Sequence, residues 1–250
     1  MKVTYAMSKP PARSQNKLLA VLLTMSDRIA GDLELVDLPV GSVIYEAGLA
    51  ERFVYFPNDA MIALLAVIEN GKSVEVAVVG NEGMVGIDAL TGGGNPCSQA
   101  MVQCAGSAYR MPTRLLKELL DRDNEMRLPI LRYIQSLVVQ ISQAAVCNRH
   151  HSVEQQLCRK LLRAVDCLSG DVIALTQEKI AELLGVRREG ITASAGDLKR
   201  RGAIDYHRGH IRILDREKLE KLSCECYAVV KSQCDSLRPG AFRDSTLNVV

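Results

Sequence analysis

The stretch from Leu175 to Leu214 constrains this chain most, because its small residues fall at spacings that one supersecondary unit requires. Thr176 is a good N-cap for a helix over Gln177 to Leu184, since its hydroxyl can accept from an amide that lacks a helical partner. Ile180, Leu183 and Leu184 make an apolar face, and Ala181 is small where a second helix would cross. Gly185 suits the positive φ of a helix end. Val186 plugs the turn, and a second helix is expected from about Arg187 to Arg201, with Ile191 and Leu198 pointing inward. A small residue, four residues to a glycine and six more to a buried isoleucine is the spacing of a helix-turn-helix.

The second helix opens with Arg187-Arg188-Glu189. That end of such a helix enters a DNA groove, where arginine can fork to guanine O6 and N7 and glutamate can accept from a cytosine amine. Alone, the triplet is an ordinary solvated helix start with an acid near the dipole. The residues after this helix favour DNA. Ala203 to Tyr206 and Ile211 to Leu214 read as two short strands around the basic tip His207-Arg208-Gly209-His210, the wing of a winged helix. The expected DNA-facing set is Thr176, Gln177, Arg187, Arg188, Glu189, Thr192, Lys199, Arg208 and His210. From Arg149 to Lys221 there are 15 Lys and Arg against 11 Asp and Glu, a local excess of +4 where the whole chain carries +2. That modest excess supports nucleic-acid binding without establishing it.

The first half has a different period. Phe53 to Phe56, Ile62 to Ile68 and Val74 to Val79 read as strands, punctuated by Pro39, Gly41, Gly48, Pro57-Asn58-Asp59 and Gly80-Asn81. Asn70-Gly71 between two apolar runs marks a hairpin. Gly92-Gly93-Gly94 reads as a flexible loop, and the whole region as a small barrel or roll. Helical periodicity begins at Thr113, and Pro129 suits the first turn of a long helix. Along it Ile130, Ile134, Leu137, Ile141 and Ala144 follow a heptad seam, widened by Leu131, Val138 and Ala145, which implies a homodimer. Packing on its own domain alone is the competing account of that stripe. Arg132, Gln135, Gln140 and Gln143 make this an amphipathic helix rather than a membrane span.

The expected fold class is therefore α+β. Residues 1–17 form a flexible leader, 18–128 a β-roll sensor, 129–150 the dimerisation helix, 151–237 the winged helix-turn-helix and 238–250 a tail. No apolar run follows the basic residues of the leader, so the chain is expected to be cytoplasmic, without a membrane partner and with reduced thiols. Cys224-x-Cys226 is tighter than a CxxC clip, and no second pair stands at zinc-ribbon spacing. Several of the eight cysteines accordingly read as small buried hydrophobes, with no metal site. No nucleophile elbow, phosphate loop or HExxH appears, so no enzyme is expected.

Leu38-Pro39-Val40-Gly41 with Gly48, the run Val79-Gly80-Asn81-Glu82-Gly83-Met84-Val85-Gly86-Ile87 and the winged helix-turn-helix, in that order, resemble the Crp/Fnr superfamily from about Leu18 to Leu237. The resemblance implies an N-terminal cyclic-nucleotide-binding-like roll, a long dimer helix and a winged helix on palindromic promoter DNA beside RNA polymerase. It assigns Arg188 and Glu189 to base reading, and places Ala193 where the cyclic AMP receptor has a second base-reading arginine. It also implies an effector pocket near Glu82, Gly83, Gly86, Cys97 and Ser98. Asn81-Glu82-Gly83 reads equally as a ligand receiver or as a turn with a solvated acid. The glutamate and arginine that hold cyclic AMP in that receptor are absent, because Gly86 precedes Ile87 and the later segment is Pro96-Cys97-Ser98. The expected effector is therefore an unidentified small molecule other than cyclic AMP. The first cysteine is Cys97 and all four histidines lie outside the roll, so neither an iron–sulfur cluster nor haem is expected. The alternative function is a module whose winged helix contacts a protein.

Overall fold

The computed structural model describes residues 15–91, 95–168 and 170–237. The expected Gly92-Gly93-Gly94 loop, the tail from 238 and most of the leader lie outside them. Asn16 and Lys17, expected to belong to a loose leader, are instead fixed. Asn16 is fully buried, donates to the carbonyls of Pro57 (2.8 Å) and Gly83 (2.7 Å), and accepts from the Leu19 amide at the start of α1 (Lys17–Met25). A short α2 (Arg28–Gly31) follows.

The roll is two antiparallel sheets. β1 (Glu34–Leu38), β7 (Gly106–Pro112) and β3 (Phe53–Pro57) form one in the order β1-β7-β3. β2 (Val43–Tyr45), β6 (Gln99–Cys104), β4 (Met61–Val67) and β5 (Ser73–Val79) form the other in the order β2-β6-β4-β5. The expected hairpin joins β4 to β5. Gly71 has φ +81°, and Asn70 Oδ1 accepts from the Lys72 amide at 3.0 Å. Between β5 and β6 lies the one-turn α3 (Asp88–Thr91). Val54, Phe56, Ile62, Leu64, Val79, Ala100 and Val102 fill the roll. Leu116 of α4 (Thr113–Arg122) and Tyr133 of α5 (Arg127–His150) close it.

α5 starts two residues before Pro129. It is long and apolar enough to cross a membrane by length and composition, yet 39% of its most apolar window is buried inside the chain. Gln140 explains one polar position: its amide accepts from Val78 N (2.7 Å) and donates to Val78 O (3.2 Å). Gly83 explains another local choice, since a Cβ there would stand 1.9 Å from the Tyr133 ring. The tyrosine hydroxyl donates to Met84 O at 2.7 Å, which holds the ring in that place.

The heptad expectation needs correction. Ile130, Leu137 and Ala144 are buried within their own chain and Ile134 is partly so, because the roll and the C-terminal helix take that side of α5. The face left open carries Leu131, Val138 and Ile141, with Ala145 in line. Of the original seam, Ile141 lies on that face and Ile134 at its margin.

Ser152 opens α6 (Val153–Cys167) through a capping box with Gln155. Then come β8 (Val172–Ala174), α7 (Gln177–Leu184), α8 (Arg188–Arg200), β9 (Ile204–His207), β10 (His210–Ile213), α9 (Arg216–Leu222) and α10 (Glu225–Asp235). The second half packs closely on the roll. Met61, Val78 and Cys104 share a core with α6 and the winged helix, and Leu183 of α7 packs with Ala63 and Leu65 of β4. A Cβ at Gly80 would meet Cys167 of α6 at 2.5 Å. Two buried ion pairs cross the same boundary: Arg163 with Glu82 at 2.8 Å, and Lys160 with Glu75, where Gln103 also accepts from Lys160 at 2.8 Å.

Candidate nucleic-acid interface and ligand cleft

The local code of the helix-turn-helix is realised residue by residue. Thr176 caps α7 by accepting from Lys179 N at 3.1 Å, and Gly185 takes the left-handed conformation at φ +66°. The Val186 amide donates to Ala181 O at 3.0 Å, which turns the chain. Ile180, Ala181 and Leu184 then pack with Ile191, Ala195 and Leu198 of α8.

This packing presents a defined surface. Arg187, Arg188, Glu189, Thr192, Ala193 and Lys199 are exposed along α8. Among the described residues, the side chains of Arg187, Arg188 and Glu189 make no hydrogen bond or ion pair, so their donors and acceptors face solvent. Thr192 is engaged differently, donating to Gln177 Oε1 at 2.8 Å and so joining the two helices. Lys199 pairs with Asp205 of the wing at 2.7 Å. Arg208 sits exposed at the wing tip with φ 45°, next to Gly209 at φ 82°. Positive φ at both central residues is the tight hairpin turn that fits strand twist. His210 is exposed beside it, its Nδ1 3.3 Å from Arg208 O. β10 also pairs with β8, so the wing is a three-stranded sheet in the order β8-β10-β9.

The residues expected to line an effector pocket do not converge. Glu82 is buried against Arg163, and Gly83 touches Tyr133, so both face the helices. Gly86 has φ +103° and packs on Val54, while Cys97 is exposed. Ser98 is the member that stays beside the Tyr45 phenol, which lines a cleft of the roll. Cys104 faces α6, and burial pushes its thiol up to about 11, so it is protonated at neutral pH.

Two clefts lie instead around Glu51. A cleft of about 430 Å³ is lined by Tyr45, Glu51, Arg52, Phe53 and Tyr55, and a neighbouring one shares Glu51 and Arg52 with Asp88 and Lys117. Glu51 Oε2 accepts from Ala89 N at 3.2 Å, and its Oε1 is buried with no partner. Burial raises its carboxyl to about 7, and the nearby Asp88 adds to the shift. Sequence reasoning misses this residue, because its signal there is only an acid beside Arg52 ahead of Phe53, which reads as an ordinary exposed charge pair.

Comparison with known proteins gives two matches to family models. Residues 35–123 match a cyclic nucleotide-binding domain, and residues 155–222 match a Crp-like helix-turn-helix domain. A global nitrogen regulator from Nostoc sp. is 24% identical over 181 residues, covering 69% of this chain and 81% of that protein. The structure of FixK2 from Bradyrhizobium japonicum superposes with a TM-score of 0.66 at 14% identity, covering 77% of this chain and 98% of that one. A mutant of CooA from Carboxydothermus hydrogenoformans gives 0.60 at 13% identity, covering 86% and 98%. At these identities the structures establish the shared fold. Both matched models describe binding domains.

Proposed function

Because this chain is a Crp/Fnr-type transcription regulator, joining a cyclic nucleotide-binding domain to a Crp-like helix-turn-helix, we propose that it reads inverted-repeat DNA as a homodimer under control of a small effector in its roll. The observation that carries the reading is the start of α8. Arg188 and Glu189 are exposed and without partners there, while the back of the same helix is fixed by Ile191, Ala195 and Leu198. Unpaired donors on a rigid helix start are what direct base readout requires.

Gln177 and Thr192 flank that start, and Lys199, Arg208 and His210 supply phosphate contacts at the wing side. Dimerisation uses the open stripe of α5 through Leu131, Val138 and Ile141, which sets two α8 helices about 34 Å apart for successive major grooves. RNA polymerase is the protein partner of a dimer bound beside a promoter. The effector sits in the cleft by Glu51, whose unpartnered buried oxygen calls for a hydrogen-bond partner. Cyclic AMP is not that effector, because Ile87 and the segment Pro96-Cys97-Ser98 carry neither of the charged groups that hold it in its receptor.

Selection from random DNA duplexes tests the reading. Enrichment of one inverted repeat, with half-sites a helical turn apart, is the expected result. Recovery of no preferred sequence by the folded, full-length chain refutes it.

A further inference from the structure

Where α5 ends and α10 begins, four side chains turn their donor atoms toward one point. Cys147 lies in the last turn of α5 and His151 is its C-cap. Cys224 is the N-cap of α10 and Cys226 lies in its first turn. One donor atom from each is within 4.8 Å of all the others. Cys147 Sγ is 3.6 Å from Cys224 Sγ, and Cys226 Sγ is 3.6 Å from His151 Nδ1. Tetrahedral zinc with Zn–S near 2.3 Å puts neighbouring sulfurs about 3.8 Å apart. The Cys147–Cys224 edge is close to that length, and all four donors lie within 4.8 Å of one another.

The surroundings also suit an ion. All three cysteines are buried and the His151 side chain is 12% exposed, so the centre is shielded from water. His151 Nε2 lies 3.3 Å from Glu225 Oε1. A carboxylate on the outer nitrogen is the support that ligating histidines usually have, and it leaves Nδ1 free as a donor. Gln156 Nε2 donates to the carbonyls of His151 (3.0 Å) and Cys147 (3.4 Å), tying down the helix end that carries two of the four groups.

We propose that Cys147, His151, Cys224 and Cys226 form a structural zinc site that joins the long helix to the last described helix. Three thiolates and one imidazole favour a borderline-soft ion over magnesium or calcium, which prefer oxygen. Four protein donors leave no open position, so the ion would be structural and not catalytic. Donors this close surround one ion and leave no room for two irons bridged by sulfide. Binding deprotonates the three thiols, whose protons pass to solvent. The tight Cys224-x-Cys226 spacing works because Cys224 has extended backbone (φ −85°, ψ 163°) while Cys226 is already helical.

The position gives the site a second meaning. The segment from Cys147 to Cys224 contains α6, the helix-turn-helix and the wing. Closing it with an ion fixes the direction in which the DNA-reading half leaves α5. That consequence rests on the proposed DNA-binding function, whereas metal binding does not.

The test titrates the full-length, reduced and chelator-stripped chain with cobalt(II), then with zinc(II). Expected are one cobalt per chain, the intense visible bands of tetrahedral thiolate cobalt, and their loss when zinc displaces it. Cys97→Ser should leave the spectrum unchanged, since Cys97 is exposed and apart from the cluster. Cys224→Ser with Cys226→Ser should abolish it, and Cys226→His alone should retain binding with weaker sulfur-to-cobalt absorption. A wild-type chain folded by circular dichroism that takes up no cobalt overturns the site. So does a spectrum that the double substitution leaves intact. A parallel DNA-binding assay separates the two proposals: sequence-specific binding by a chain that ignores metal refutes only this one, and metal uptake without DNA binding refutes only the other.

Discussion

Arg163 of α6 donates to Glu82 of the roll at 2.8 Å, and both side chains are less than a tenth exposed. Glu82 opens the glycine-rich turn after β5, and Cys167 Sγ lies 3.8 Å from its second oxygen. The residue read from sequence as a ligand receiver or a solvated acid is neither in this structure. It is the roll's half of a buried ion pair that holds the DNA-reading half in place. Removing one partner of such a pair strands the other charge in a low dielectric. Arg163→Met should therefore cost about 3–5 kcal/mol, measured by urea unfolding. Adding Glu82→Gln should recover a good part of that loss, and a strictly additive double variant would contradict the account.

Arg188→Ala should weaken binding to the selected inverted repeat by about 1–3 kcal/mol and relax preference at one base pair per half-site. Lys199→Ala should have a smaller effect on affinity, because Lys199 is already paired with Asp205, and no effect on sequence preference. Competition gel shifts with every single-base variant of the site measure both. An unchanged base profile for Arg188→Ala would remove that residue from readout.

Val138→Asp should break the proposed dimer while leaving the subunit folded, since Val138 is half exposed on the free side of α5. Leu137→Asp, one residue away but buried, should instead unfold the roll. Sedimentation and thermal melts separate the two outcomes. A dimeric Val138→Asp protein would place the interface elsewhere.

Glu51 gives a pH dependence with a definite sign. Burial raises its folded pKa to about 7, above the unfolded carboxyl, so the native chain holds a proton that the unfolded chain has released. Its contribution is greatest below about pH 4.5 and is lost as pH rises through about 7. Glu51→Gln should remove that loss and stabilise the chain at pH 8 by about 1–2 kcal/mol, less than the full shift because water screens this partly exposed carboxyl, with little change at pH 4.5. Urea midpoints at the two pH values check it, and equal shifts at both would rule it out.

The parts legible in sequence were those whose physics is local. The Thr176 cap, the Gly185 turn and the Ile191 and Leu198 positions each depend on a few neighbouring residues, and the helices start and stop within a residue or so of where these point. Asn70-Gly71 worked for the same reason. What stayed hidden depends on contacts between distant segments. The stripe on α5 shows that one side is apolar, but only the packed roll decides that Leu137 goes in and Val138 stays out. The cluster of Cys147, His151, Cys224 and Cys226 joins residues 77 positions apart, so no spacing rule reveals it. Glu51 stands out only through its unpartnered buried oxygen, which a sequence does not display.

The first five residues of β4 are all apolar and buried. Its run Met61-Ile62-Ala63-Leu64-Leu65 lacks polar alternation because both faces of the strand are covered, Ile62 and Leu64 by the roll and Met61, Ala63 and Leu65 by α6 and α7. Any swing of the winged-helix half away from the roll would wet that outer face. Such a transition would carry a positive heat-capacity change, so its equilibrium constant would curve with temperature even where no ligand is present.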